Sequence, residues 1–197
     1  MERAKNLTDR MNSLNDLIKS RRSVFPDTYN GKTIPEDHIR QVLENANWAP
    51  SHRLTQPWRF KVFQGQALQR LSDFMGEDYK THTPLDKQAD VKYNKTKSAP
   101  LKSSAVIALC MQAHPDLLPE WEEIAATACA VQNMWLTCTD LHIGCYWSSP
   151  GVINRIGGLV SLPEGQKCIG LFYMGYSDLT VVAGKRTPYE EKTEWLY

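Results

Sequence analysis

No glycine-rich phosphate loop occurs in this chain of 197 residues. Neither GxxxxGK[ST] nor a strand-to-helix GxGxxG is present, which disfavours a P-loop nucleotide hydrolase and a doubly wound dinucleotide fold. HExxH and CxxC are missing too, and His38, His52, His82, His114 and His142 lack ligand spacing, so zinc hydrolysis has little support. Without GxSxG there is no serine nucleophile on an elbow. Charge of one sign is lacking as well: Lys and Arg total 23 against 22 for Asp and Glu. No global basic field marks the chain as a nucleic-acid binder, and any basic site is local. Cys110, Cys129, Cys138, Cys145 and Cys168 are odd in number and sit mostly in apolar runs. They read as small core hydrophobes in a reducing, cytoplasmic setting rather than a disulfide framework or metal site. Met1 to Asn6 is charged without a following apolar segment, so no secretory leader is expected. The stretch Ile124 to Leu141 is long enough to raise a membrane span, but Gln132, Asn133 and Asp140 inside it indicate a buried central helix.

What is there is globular composition, with 42% hydrophobic and 10% aromatic residues, and a length that suits one domain over 1–197. Helical spacing runs from about Thr8 to Lys19 and ends before Arg21-Arg22-Ser23. Thr33, Pro35 and Glu36 predict the start of a second helix that stops near Trp48. Trp58 to Phe63 alternates as a half-buried strand, and Ala67 to Phe74 is again helical. Residues 75–101 are charged and poor in apolar groups, so a mobile excursion or lid with some helix is expected. Ser104 to Met111 reads as a fully buried strand, Pro119 opens a helix reaching about His142, Cys145 to Trp147 is a short strand and Pro150 to Ile156 a short helix. Cys168 to Gly175 is a buried strand. The extension 184–197 is too short for a core of its own and is expected to lie across another surface, such as a partner subunit. Helices outnumber strands and do not alternate with them regularly, which predicts an α+β fold.

Four groups of loop residues stand out. Arg21-Arg22-Ser23 offers two permanent cations with fork geometry and a hydroxyl, a workable phosphate clamp, although two arginines after a helix also complement its dipole. The stretch from Trp48 through Pro50-Ser51-His52 to Gln56-Pro57-Trp58 joins a helix to a strand through two prolines. Tyr146-Trp147-Ser148-Ser149 ends another strand, and Lys185-Arg186 is a second local cation pair. None supplies an obvious acid, base or nucleophile. When side chains lack reactive groups, the hard chemistry usually resides in a cofactor. A flavin would need cations for its phosphate, hydroxyls for its ribityl chain and a flat slot for its ring.

With Ala128 to Met134 and Ile169-Gly170-Leu171-Phe172-Tyr173-Met174-Gly175 added, these segments resemble the nitroreductase family of flavin mononucleotide (FMN) enzymes, in particular its short bacterial branch. The resemblance implies an α+β homodimer with a central, mainly antiparallel sheet flanked by helices, a C-terminal tail reaching the partner, and two FMN sites at the subunit interface. It implies that Arg21, Arg22 and Ser23 hold the phosphate and ribityl end, helped by Lys185 and Arg186. Trp48, Pro50, Ser51, His52 and Gln56 would contact flavin from the other subunit, and Trp147, Ser148 and Ser149 would lie along the ring. The implied activity passes hydride from NADH or NADPH through FMN to a nitroaromatic, a quinone or a related small acceptor, with no side-chain catalyst and no metal, membrane or nucleic-acid partner. Other branches dehalogenate or break down flavin, and a flavin-binding redox sensor or an interaction module whose arginines bind carboxylates would use the same residues differently. Two positions depart from the family pattern. Leu54 stands where many relatives have asparagine, and Phe25 where classical members place a lysine at the pyrimidine edge. A closed roof over 75–101 would favour a specific substrate, an open site a broad range.

Overall fold

The run Ala105 to Met111 is apolar at every position because it is covered on both sides, and the rest of the molecule is arranged around it. In the computed structural model, which describes residues 13–180, 182 and 184–197, this run is β2 (Ala105–Gln112), the second strand of a four-stranded sheet in the order β1-β2-β4-β3. β1 is Trp58–Phe63, β3 Gly144–Ser148 and β4 Gln166–Gly175, and every pairing is antiparallel. Successive side chains of a strand point to opposite faces, and β2 divides accordingly. Ala105, Ile107 and Leu109 enter one core with Met134, Cys138 and Phe172, while Val106, Ala108 and Cys110 enter another with Leu71, Ile156 and Leu171. The fold is α+β, as the sequence predicts.

The first face carries α2 (Glu36–Asn47) and α5 (Glu120–Asp140). α2 buries Ile39, Val42 and Ala46, spaced at three and four residues. It starts after Pro35 without a side-chain cap, so the expected Thr33 cap is not used. α5 covers the predicted central helix almost residue for residue, and no described helix is long and apolar enough to cross a membrane. The second face carries α3 (Gln66–His82) and α4 (Asp90–Lys102), joined through a 3-10 turn at Leu85–Lys87. α3 continues eight residues past the predicted Phe74 because Met75 and Gly76 are buried at the spacing set by Leu68, Leu71 and Ser72. Residues 75–101 are thus mostly helical, a hairpin closed by the Ser72 hydroxyl donating to the Lys97 carbonyl at 2.7 Å.

α1 occupies residues 13–20 of the described chain, and the predicted residues before it lie outside the described range. The segment leaving α1 is strapped over the end of the sheet. Val24 N–H donates to the Cys145 carbonyl at 3.0 Å, and Tyr29 pairs with Ser177 in an isolated bridge. The Tyr29 hydroxyl donates to the carbonyls of Val24 (2.9 Å) or Tyr173 (3.2 Å). Its ring fits against Gly175, where an added Cβ would stand 2.4 Å from a ring carbon. Gly175→Ala is therefore expected to cost about 2–3 kcal/mol, since overpacking against a ring on a fixed strand forces the strap to shift. Urea unfolding tests this, and an unchanged midpoint would show that the strap moves freely.

Candidate active site

Arg21 leaves α1 with its guanidinium 4.6 Å from the centre of the Trp135 ring on α5, a cation–π contact that fixes the direction of the fork. The Arg21 guanidinium titrates below its ordinary range, first because it is partly buried and then because Arg186 and Arg22 face it. Among the described residues no carboxylate pairs with Arg21 or Arg186. Ser23 beside them is exposed, and its hydroxyl has no protein partner in the described chain. Two unopposed cations and a free hydroxyl at one spot form a donor set suited to a phosphoryl dianion.

Arg22 is spent differently. Its Nη1 donates to the carbonyls of Lys19 (2.7 Å) and Arg21 (2.8 Å), and its Nε to the Val182 carbonyl at 3.0 Å. Its own carbonyl accepts from Trp135 Nε1 at 3.0 Å. It closes α1 and tethers the chain leading to the tail, whose Gly184 lies so close that a Cβ would sit 2.7 Å from the Arg22 Cζ. Lys185 is exposed, and its carbonyl accepts from Arg186 Nη1 at 2.7 Å.

β3 is an edge strand running away from this cluster. Cys145 lies at its arginine end and Ser148 three residues on, roughly 10 Å away. Trp147 and Ser148 point to opposite faces. Trp147 packs against the α5-side core over Gly170, and its Nε1 is buried without a partner in the described chain. Ser148 points to the α3–α4 side, where with Phe25, Tyr146 and Pro150 it lines a cavity of about 370 Å³. Ser149 is exposed at the end of the strand. The 3-10 segment Gly151–Gly158 that follows is tied to α3 by Arg155, whose Nε and Nη2 donate to Asp78 Oδ1 (2.5 Å) and Oδ2 (2.8 Å).

The third predicted group is elsewhere. Trp48 closes α2, mostly exposed, with its Nε1 donating to Glu44 at 3.1 Å. Pro50 is exposed, and the Ser51 hydroxyl accepts from Gln56 N–H at 3.2 Å. His52 Nδ1 stands 2.6 Å from Glu122 Oε2 at the start of α5. Arg53, Leu54 and Gln56 all have left-handed backbone, with φ of 50°, 55° and 43°, a conformation that costs side-chain-bearing residues on the order of 1–2 kcal/mol each. Glu122 and Trp135 are 13 residues apart on α5, roughly 20 Å at about 1.5 Å per residue. One chain therefore does not bring the His52 loop and the Arg21 cluster together.

Several contributors escaped the sequence reading. Trp135 sits in a helix with nothing to mark it as an arginine platform, and Glu122 is 70 positions from His52. Asp78 and Arg155 are also remote in sequence. The spacing of Met75 with Tyr79, one helical turn, could have signalled that α3 continues.

An antiparallel sheet covered on both faces, with a pair of arginines that no described carboxylate meets at the head of its edge strand and an aromatic-lined cavity on the α3–α4 side of that strand, defines an α+β protein with candidate ligand-binding features along β3. Residues 18–176 match the model of the nitroreductase family, and the chain belongs to that family. It is 24% identical over 183 residues to a Bacillus subtilis protein named "Putative NAD(P)H nitroreductase YfhC", covering 91% of this chain and 92% of that one. Among solved structures, the nitroreductase-like family protein of Bacillus cereus superposes with a TM-score of 0.77 at 29% identity, over 92% of this chain and 95% of that one. NfnB of Mycobacterium smegmatis, an FMN-dependent nitroreductase solved in complex with NADPH, gives 0.75 at 19% identity, over 95% and 99%.

Asp78 carries a testable charge. Hydrogen bonding from Arg155 is the main reason its carboxyl titrates below the usual range, and His82 Nδ1 also stands 3.2 Å away. A depressed folded pKa contributes stability above the unfolded value of about 4 and loses it as pH falls towards the folded value. Asp78→Asn is expected to destabilise by about 1–2 kcal/mol at pH 7. The gap from the parent should shrink below about pH 4, as read by urea midpoints across pH; a constant gap would remove the electrostatic account.

Proposed function

We propose that this protein is an NAD(P)H-dependent FMN oxidoreductase that delivers electrons to a nitroaromatic, a quinone or a related small acceptor, in a cytoplasmic setting consistent with its free thiols. The observation that carries the reading is the pair Arg21 and Arg186, unopposed by any carboxylate of the described chain and flanked by the free Ser23 hydroxyl. When bound, FMN supplies the redox chemistry, accepting hydride from the nicotinamide and reducing the acceptor. The chain's own work is binding, orientation and exclusion of water. Arg21 and Arg186 neutralise the phosphate, Ser23 donates to it or to the ribityl chain, and Trp135 holds Arg21 in place from behind. The Ser148 and Ser149 hydroxyls and the Ser149 and Gly151 peptide N–H groups offer donors along the ring, Pro150 between them having none.

In this reading Trp48, Pro50, Ser51, His52 and Gln56 complete the site from a second copy of the chain. Their separation from Arg21 within one copy supports this, as does the tail. Tyr189, Trp195, Leu196 and Tyr197 are all largely exposed, and Trp121 and Ile124 are exposed on α5. Apolar surface of this extent is characteristic of an interface. Lys185 assists from the same tail.

The test is the visible spectrum of the purified protein during anaerobic addition of NADH or NADPH. Flavin bands are expected to bleach and to return when a nitroaromatic or quinone is added. A colourless protein that FMN does not reconstitute would overturn the reading. The two arginines should also separate. Arg21→Glu is expected to weaken FMN retention by at least roughly 10- to 100-fold, by exchanging a charge-assisted contact for repulsion. Arg22→Met is expected mainly to lower the unfolding midpoint, since its contacts are carbonyls of its own chain. Full flavin occupancy in Arg21→Glu would remove the phosphate assignment.

A further inference from the structure

β2 and β4 keep a regular register from the pair Ala105 and Met174 to the pair Leu109 and Gly170, and the next residue, Cys110, then faces Cys168. Ile169 is the extra residue of a β-bulge; in an unshifted ladder Cys110 would face it instead. The shift decides which side chains meet. Ile169 packs on the α5 side of the sheet, whereas Cys110 and Cys168 both enter the core on the α3–α4 side. Two thiols far apart in sequence thus stand directly opposed on neighbouring strands. Opposed residues of an antiparallel pair have Cα atoms roughly 4.5–5.5 Å apart, inside the roughly 4.4–6.8 Å span of a disulfide.

The two thiols are not equivalent. Cys110 is fully covered, while Cys168 keeps 8% of its surface exposed at the margin of the core. Hydrogen bonding from Cys110 is the main reason that Cys168 titrates below the ordinary thiol range, against the effect of burial. Cys110 is pushed above that range, first by the same hydrogen bond and then by burial. Lys61, opposite Ala108 on β1, lies on this face of the sheet, and its charge favours thiolate over thiol at the pair. The other buried couple differs. Cys138 and Cys145 also share a hydrogen bond, but they are 0% and 1% exposed, and burial first drives Cys145 well above its usual value.

We propose that Cys110 and Cys168 are a peroxide-sensitive dithiol, in which Cys168 meets the oxidant and Cys110 closes a cross-strand disulfide. The Cys168 thiolate attacks one oxygen of a hydroperoxide, the O–O bond breaks, and with one proton the second oxygen leaves as water (or as an alcohol), giving a sulfenic acid on Cys168. The Cys110 sulfur then attacks the Cys168 sulfur; the S–O bond breaks and the hydroxide leaves as water with the Cys110 proton. Two electrons pass from the thiols to the peroxide, and an external dithiol restores both.

The experiment is disulfide mapping of the folded protein after a short exposure to hydrogen peroxide, with remaining thiols blocked by N-ethylmaleimide during denaturation. Chymotrypsin, which cuts after aromatic residues, leucine and methionine, places the five cysteines on separate peptides. A Cys110–Cys168 linkage is expected to form at least roughly tenfold faster than any other, and to disappear with dithiothreitol. In urea the order should invert, because Cys138 and Cys145 are only seven positions apart and a short loop closes more readily in an unfolded chain. Cys110→Ala should halt oxidation at a Cys168 sulfenic acid that dimedone captures, and Cys168→Ala should leave Cys110 reduced. Where a variant does not fold, the map of the parent protein decides alone. Cys110 and Cys168 both remaining reduced would overturn the proposal, as would a Cys138–Cys145 linkage forming as fast in the folded protein.

Discussion

The strap from Arg21 to Tyr29 is the constraint on which the site depends. One main-chain hydrogen bond, Val24 to Cys145, and one ring seated on Gly175 decide where three side chains go. Because the strap crosses the end of the sheet, Arg21 is left on the α5 side over Trp135, and Phe25 is delivered to the α3–α4 side against Tyr146. Ser23 falls between them at the rim. An arginine cluster and an aromatic cavity are therefore placed on opposite sides of one short edge strand by a single loop. The loop is held by backbone groups that any sequence possesses, and by one glycine that only the absence of a Cβ permits.

The division of labour between neighbouring arginines follows from the same geometry. Both are helix-terminal, and a helix C-terminus leaves carbonyls in want of donors. Arg22 fills that want and reaches on to Val182, so its charge is engaged by its own chain. Among the described residues the Arg21 guanidinium, rotated onto the Trp135 face, meets no carbonyl or carboxylate. Arg22 thus does what helix-end solvation asks, while the Arg21 guanidinium is left available for a ligand. The strained loop at Arg53, Leu54 and Gln56 makes a parallel point. Backbone held in the left-handed region persists only where surroundings over-determine it, and within one chain the His52–Glu122 contact, the Ser51 hydroxyl, Thr55 N–H on the His52 carbonyl and Arg59 on the Gln56 carbonyl do so.

Local pattern made most of the fold legible. The continuous apolar run of β2, the alternation of β1, the proline and acids ahead of α5 and the apolar stripe of α2 each announce themselves within a dozen residues. Where the reading fell short, the cause was tertiary. Residues 77–82 extend α3 because its turn at Met75 and Gly76 packs against the sheet and α4, which propensity in a charged segment does not reveal. The site was legible as residue types and not as partners. Arginines, serines and tryptophans could be selected from the loops, but Trp135 under Arg21, Glu122 beside His52 and Asp78 under Arg155 are joined only by folding. Strand alternation, had it been applied to Tyr146-Trp147-Ser148, would have shown that Trp147 and Ser148 cannot flank the same side of a ligand.

A chain with almost balanced charge has enough carboxylates to pair its cations, yet Arg21 and Arg186 face each other with no described carboxylate between them. Their position at the head of β3 is what makes them informative. Partial burial first and then the facing Arg186 lower the titration of Arg21, and an anionic ligand would relieve that repulsion. In the proposed reading the chain needs no acid, base or nucleophile of its own, because its part is to bind and orient a phosphorylated ring whose direction along β3 Arg21 and Arg186 would set.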